Sequence, residues 1–242
     1  MAAHISSAKP YKGWGMEGGV ARWYVGLTKK SVEDFKALAR RIAGQIPQGS
    51  CVLEVAPGPG YFAIELAKLG SYQITGLDIS ETFVEIAQEN AANENVRVEF
   101  RRGNASEMPF GDETFDFLLC RAAFKNFSAP QCALEEMHRV LKPGGQALII
   151  DLRRDASMES ISEAVNHMKL GAVNGIITKL TFRFMLLKRA YTKNEIEELI
   201  SQTNFQDVTI REDLIGLEIC LRKDRKALYA GLQELSVEGG LV

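Results

Sequence analysis

The stretch CVLEVAPGPGYFAIELAKLG, Cys51 to Gly70, followed by ITGLDIS from Ile74 to Ser80, decides the reading of this chain. The apolar run Cys51 to Val55 predicts a buried strand, and Pro57 to Gly60 predicts a tight turn. An amphipathic helical pattern follows, and a second apolar run ends on Asp78. In a strand-turn-helix unit the glycines let the backbone approach a ligand and the first helical turn presents free N–H groups. A carboxylate at the end of the next strand accepts both hydroxyls of a ribose. The stretch therefore predicts a nucleoside pocket.

Spacing narrows the kind of nucleoside. A dinucleotide fingerprint reads G-x-G-x-x-G, with the third glycine inside the helix and the turn open to a pyrophosphate. Here the run is Ala56, Pro57, Gly58, Pro59, Gly60, Tyr61, Phe62, Ala63, so Ala63 stands where the third glycine would be. Two prolines remove N–H donors that a pyrophosphate would use. Glu54 would also place a negative charge beside it, so a positively charged ligand suits the site better.

Around this unit the chain alternates strand and helix, which predicts a parallel sheet covered by helices on both faces. Strands are expected near 51–56, 72–78, 96–101, 115–120, 146–152, 206–213 and 216–223, the last two forming a hairpin. Helices are expected near 31–46, 61–69, 81–92, 130–141 and 193–203. The 242 residues suffice for a single α/β core, and 46% hydrophobic with 25% charged residues is ordinary for a globular chain.

A net charge of −2 with no basic stripe argues against nucleic acid. No run approaches the length of a membrane span. The four cysteines (Cys51, Cys120, Cys132, Cys220) include no C-x-x-C pair, which predicts reduced thiols and a cytoplasmic setting. His4, His138 and His167 have no metal-ligand spacing, so no metal site is expected.

Five motifs occur in order over roughly residues 45–152. They are Glu54 with Ala56, Gly58 and Gly60; Asp78; Asn104 and Ala105 in RRGNASEMPF; FDFLLC, Phe115 to Cys120; and LEEMHRVLKPGGQALIIDL, Leu134 to Leu152. In this set the chain resembles the class I S-adenosylmethionine-dependent methyltransferases, in particular the small-molecule type related to the ubiquinone/menaquinone C-methyltransferases. The resemblance implies a Rossmann-like seven-stranded, mostly parallel sheet with an antiparallel last strand. It implies S-adenosylmethionine as cofactor and methyl transfer to a small molecule. Ala56 replaces the family's first glycine, a mild change if its φ is negative. Asn104 replaces the usual Asp, and its amide can still meet an adenine edge. The segment after the fourth strand, often His-rich in the family, reads CRAAFKNF (Cys120 to Phe127), so the acceptor is not carried over.

On this resemblance the cofactor-binding residues are Tyr24, Glu54, Ala56, Pro57, Gly58, Gly60, Asp78, Ile79, Asn104, Ala105, Cys120 and Arg121. Asp78 is assigned to the ribose, Gly58 and Gly60 to close approach of the methionine portion, and Glu54 to its amino-acid end. Ile79 and Met108 flank adenine or pack the core. The acceptor-side candidates are Tyr11, Trp14, Tyr24, Phe124, Lys125, Asn126, His167 and Phe184. Lys125 and Asn126 are read either as holding a polar acceptor group or as a solvated lysine and a helix cap. No catalytic base is assigned, because a sulfonium methyl is already a good electrophile and positioning does most of the work.

Two segments lie outside the core. Residues 1–30, rich in Gly and aromatics, are read as an N-terminal lid over the domain 31–242, or as an arm anchored by its aromatics. Residues 156–192 are read as a helical insertion before the sixth strand, acting as acceptor cap, homodimer interface or plain packing. The alternatives to a methyltransferase are a non-catalytic S-adenosylmethionine-binding module and an NAD-dependent oxidoreductase.

Overall fold

The structure, a computed structural model, describes residues 11–12, 15–28, 32–167 and 186–224. Seven strands make one sheet: β1 Cys51–Val55, β2 Gln73–Asp78, β3 Glu99–Arg102, β4 Phe115–Arg121, β5 Leu141–Leu152, β6 Asp207–Glu212 and β7 Gly216–Arg222. Their order is β3-β2-β1-β4-β5-β7-β6. All pairings are parallel except those of β7, which runs antiparallel to both β5 and β6. The hairpin expected at the sheet edge is present, with β6 outermost. The Asp213 carboxylate closes its turn by accepting from the Ile215 and Gly216 N–H groups. Strand order reverses between β1 and β4, and a sheet of this kind opens a crevice at that point, beyond the carboxyl ends of the strands.

Seven α-helices are described: α1 Gly18–Thr28, α2 Val32–Ala43, α3 Tyr61–Ala67, α4 Glu81–Asn93, α5 Pro130–Val140, α6 Met158–His167 and α7 Lys193–Ser201. The sequence of β4 shows why both faces must be covered, since FDFLLC has almost no polar position to give to water. Phe117 and Leu119 point to one side, where they meet Leu38, Ile42, Phe62, Leu66 and Ala87 from α2, α3 and α4. Leu118 and Cys120 point to the other, toward Leu134, Met137, Ile196 and Ile200 from α5 and α7. His138 packs edge-on against Phe205 with 5.0 Å between ring centroids. That is a place in the packing, and burial lowers its pKa.

Three features depart from the sequence reading. The N-terminal segment contains a regular helix, α1, where its glycine content suggested an irregular lid. The KPGG run is a bulge inside β5, with Leu141 paired to Phe115 but Gln146 already paired to Phe117. Gly144 adopts a φ of 79° there, and its N–H donates to the Lys223 carbonyl. The insertion also divides. Around α6, Ile161, Val165, Ala156 and Leu187 form a small cluster against Leu152 and Ile215, which is ordinary packing. Residues 168–185, Phe184 among them, lie outside the described residues, and with them the cap and dimer readings.

Candidate functional site

At the end of β1 the chain turns sharply. Ala56 has a φ of 55°, so the condition for a mild replacement is not met and a side chain sits where glycine is normally required. Its N–H is held by the Leu77 carbonyl at 2.8 Å, which fixes the strained residue to the end of β2. Gly58 also has a positive φ, 54°, and a Cβ placed on it would meet no atom within 4 Å, so the turn faces open space there. Gly60 differs: a Cβ would come within 2.7 Å of the Phe100 ring. Its lack of a side chain serves the packing of α3 on the sheet.

The Gly58 N–H donates to Asp78 Oδ2 at 3.0 Å, and the Ser80 N–H donates to Asp78 Oδ1 at 2.9 Å. Two backbone donors thus aim the carboxylate across the ends of β1 and β2, and each oxygen keeps a lone pair for a hydroxyl. Asp78 is only 5% exposed, and burial pushes its pKa up to about 6 against the pull of its backbone hydrogen bonds. Glu54, one strand inward, is 3% exposed, and burial pushes its pKa up to about 8. It accepts from the Ala63 N–H at 3.1 Å, so a carboxylate already occupies the first turn of α3. A pyrophosphate would meet that carboxylate, which argues against a dinucleotide at the same place.

The N-terminal segment crosses this crevice and is tied down at both ends. Glu17 accepts from the Glu81 and Thr82 N–H groups and from the Thr82 hydroxyl, while the Ser80 hydroxyl donates to the Met16 carbonyl at 2.6 Å. These bonds join the start of α1 to the start of α4, next to Asp78. At the other end Tyr11 bridges to Phe127, and the Lys12 N–H donates to the Asn126 carbonyl at 2.7 Å. Arg189 donates to the Lys12 carbonyl and the Lys12 ammonium donates to the Tyr191 hydroxyl. Trp14 lies outside the described residues. Tyr24 meets Phe83 edge-on at 5.9 Å, and burial raises the pKa of both Tyr11 and Tyr24. The charges of Asp78 and Asp151 add to the rise at both phenols.

Asp151 itself was missed by sequence reasoning. It ends the IIDL run of β5 much as Asp78 ends β2, and that parallel was the available signal. It forms a buried ion pair with Lys125 at 2.7 Å and also accepts the Lys125 N–H at 2.8 Å. The Lys125 ammonium further donates to the Ala122 carbonyl. Lys125 is therefore neither solvated nor free for a ligand anion. Phe124 is likewise interior, packed against Phe127 and Tyr191, rather than bordering a chamber. The Asn126 backbone holds the strap, and Ala122, just before this turn, is a second alanine with a positive φ, 58°. Cys120 is wholly buried and its thiol pKa is raised by that burial, so only its backbone can reach the crevice.

On the far side of Asp78, Asn104 Oδ1 accepts from the Ser106 N–H at 3.0 Å, an Asx turn that holds the loop after β3. Ala105 packs on the core and Ile79 is half-buried, while Met108 is interior. Pro57 lies against Gly76, where a Cβ would approach it to 3.1 Å. Arg121, at the tip of β4, lies with its guanidinium carbon 4.3 Å from the centre of the Phe35 ring. The side chain of His167 is outside the described set. Among the described residues no cluster of His, Cys, Asp and Glu suits a metal ion, all four cysteines are unpaired, and no helix is long and apolar enough to cross a membrane. A concavity of about 570 Å³ does exist elsewhere, between α2 and the β5-β7-β6 face. The Arg41–Glu218 ion pair walls it, and no residue of the strand-end crevice lines it.

Residues 53–149 match the family model of the methyltransferase domain. The demethylmenaquinone methyltransferase of Chlorobaculum parvum is 32% identical over 149 residues, 61% of this chain and 58% of that protein. The ubiquinone/menaquinone biosynthesis C-methyltransferase UbiE of a Marinomonas species is 34% identical over 113 residues, 45% of either chain. The chain thus spans about half the length of the relatives it matches. Among solved structures, a candidate S-adenosyl-L-methionine-dependent methyltransferase of Methanococcus maripaludis superposes with a TM-score of 0.73 at 19% identity, over 88% of this chain and 96% of that one. The [4+2]-cyclase SpnF superposes with a TM-score of 0.54 at 20% identity, over 78% and 80%. The fold is the Rossmann-like fold of S-adenosylmethionine-dependent methyltransferases, and SpnF shares that fold under the name of a different activity.

Proposed function

Taking the methyltransferase domain over residues 53–149 as the premise, we propose that the chain transfers a methyl group from S-adenosylmethionine to a small-molecule acceptor. The observation that carries this reading is the carboxylate of Asp78, aimed by the Gly58 and Ser80 N–H groups at the open side of the Gly58 turn. Its two spare lone pairs suit the paired hydroxyls of a ribose. The absence of a side chain at Gly58 leaves room for the rest of the ligand. When bound, S-adenosylmethionine supplies a methyl group on a positively charged sulfur.

The residues of the chain then have distinct tasks. Asp78 holds the ribose, the Asn104 turn and Ile79 border the base, and Glu54 offers a hydrogen-bonding carboxyl toward the amino-acid end. Tyr11 and Tyr24, carried by the N-terminal strap, close the crevice and exclude water. Exclusion strengthens every charge interaction inside and keeps the acceptor in line with the methyl group. No described side chain is required to move a proton for this reading. The quinone-type acceptors named for the relatives are the class to test first.

The experiment is methyl transfer from radiolabelled S-adenosylmethionine to a panel of small acceptors, a prenylated naphthoquinol among them. The expected result is labelled product with at least one acceptor and loss of labelling in Asp78→Ala. Tight cofactor binding without turnover on any acceptor would favour a non-catalytic binding module instead.

A further inference from the structure

β6, Asp207–Glu212, is the last strand of the sheet, so one of its edges has no neighbouring strand among the described residues. Which backbone groups line that edge follows from the ladder. The Lys223 N–H donates to the Gly145 carbonyl of β5, so the odd-numbered residues of β7 bond toward β5 and the even-numbered ones toward β6. Glu218, Cys220 and Arg222 therefore bond to their partners Arg211, Thr209 and Asp207. The Asp213 N–H, donating to the Gly216 carbonyl, continues the same alternation. The N–H and C=O groups of Val208, Ile210 and Glu212 are left pointing outward, and among the described residues no backbone group bonds to them.

An open edge invites another strand, and charges placed on it normally forbid one. Here the charges suit one partner, a second copy of β6 running antiparallel. Outward groups bond only to outward groups, so the symmetry axis must pass at a residue rather than between two. Centred on Thr209, Val208 of each copy faces Ile210 of the other and exchanges both N–H and C=O bonds with it. Asp207 then stands opposite Arg211, twice by symmetry, and Thr209 opposite Thr209. Centring on Val208 or Ile210 instead sets Thr209 against Asp207 or Arg211 and loses both ion pairs.

The side chains are free to meet in this way. Asp207, Thr209 and Arg211 are exposed and share the face that borders the concavity of about 570 Å³ beside α2. Arg211 has no ion pair among the described residues, since Glu218 across from it on β7 is taken by Arg41 at 2.7 Å. Asp207 reaches only Arg222, at 4.0 Å. On the opposite face Val208 and Ile210 are half-buried against the core, with apolar surface left to cover.

We propose that the outer edge of β6 is a self-association surface, through which two copies of the chain join their sheets in the register centred on Thr209. Backbone alternation, charge and apolar cover agree on that register. The crevice opens between β1 and β4, on the far side of β5 and β7, so each copy keeps a whole site. A single strand pair is smaller than the roughly 1,200 Å² of a stable interface, and association in the micromolar range is expected.

Sedimentation velocity on the whole chain, from low to high micromolar concentration, is expected to show a shift from the 26.8 kDa monomer to twice that mass. Arg211→Asp sets Asp207 against another carboxylate, and Asp207→Arg sets Arg211 against another guanidinium. Each weakens association by about tenfold or more, because each acts twice across the pair. Combining Asp207→Arg with Arg211→Asp restores it, which a surface elsewhere on the chain would not do. Ile210→Pro removes an outward N–H, spares the β6–β7 ladder and abolishes the dimer. Near-UV spectra matched to wild type show that the variants fold, and if the proline variant does not, the charge series decides alone. A chain that stays monomeric at the highest concentration overturns the proposal. So does a dimer that both single charge reversals leave intact, or one that the double reversal fails to restore.

Discussion

The two sides of the crevice are built on different physics. On the β1–β2 side the frame is made of short-range backbone bonds, with Asp78 and Gly58 joined across neighbouring strands and Ser80 beside them. On the β4–β5 side the frame is a buried ion pair, Lys125 with Asp151, plus a strap whose anchors lie far apart in sequence. The first kind of construction is fixed by turn geometry. The second can be altered by exchanging side chains without touching the turn.

The comparison breaks or sharpens under five measurements. The largest effect is expected from Lys125→Met, which strands the Asp151 charge in the interior. Chemical denaturation should show a loss of about 3–5 kcal/mol, while Lys125→Met combined with Asp151→Leu recovers most of it. S-adenosylhomocysteine affinity of the folded double variant stays close to wild type if the two sides are separate, and a large loss would merge them. Next, Asp78→Ala should weaken S-adenosylhomocysteine binding by about 10–100-fold in calorimetry with little change in unfolding temperature. Unchanged affinity would remove the ribose assignment.

The third is a pH effect with a definite sign. Ribose hydroxyls favour the ionised Asp78, whose pKa is raised to about 6, so binding is full above that pH. It weakens by about tenfold per pH unit below it. Asp78→Asn should flatten that limb of the profile. Glu54 follows the same linkage for folding. Its raised pKa, about 8, means its contribution is fully present at low pH and is lost as pH climbs toward that value. Glu54→Gln should therefore gain stability relative to wild type between pH 5 and 8, read as a rising difference in unfolding temperature. The smallest effect is at Ala56, where Ala56→Gly relieves a left-handed alanine. The gain is about 1 kcal/mol, offset in part by the greater freedom of glycine in the unfolded chain.

The same division explains what the sequence alone could tell. The sheet, its alternation with helices and Asp78 were legible because local patterns generate them: apolar runs, a Gly/Pro turn, an acid at a strand end. The packing demand on Gly60 was not legible because it comes from Phe100, forty residues away and invisible to spacing. Ala56 was misjudged because the φ of a single alanine is imposed by its hydrogen bond to Leu77 rather than by its own preference. Lys125 was legible as a charge but not as a buried one, since its partner lies 26 residues further on. The strap was legible in composition, yet the two ends that hold it are tertiary contacts.

Those strap contacts bear on how the chain is made. Lys12 bonds to Tyr191, 179 residues later, and Arg189 bonds back to Lys12 across 177. This segment can dock there only once the residues near 190 are in place. Closing so long a loop costs entropy that the finished sheet must already offset. The strap contacts thus form after the sheet that receives them, and their loss would leave that sheet intact.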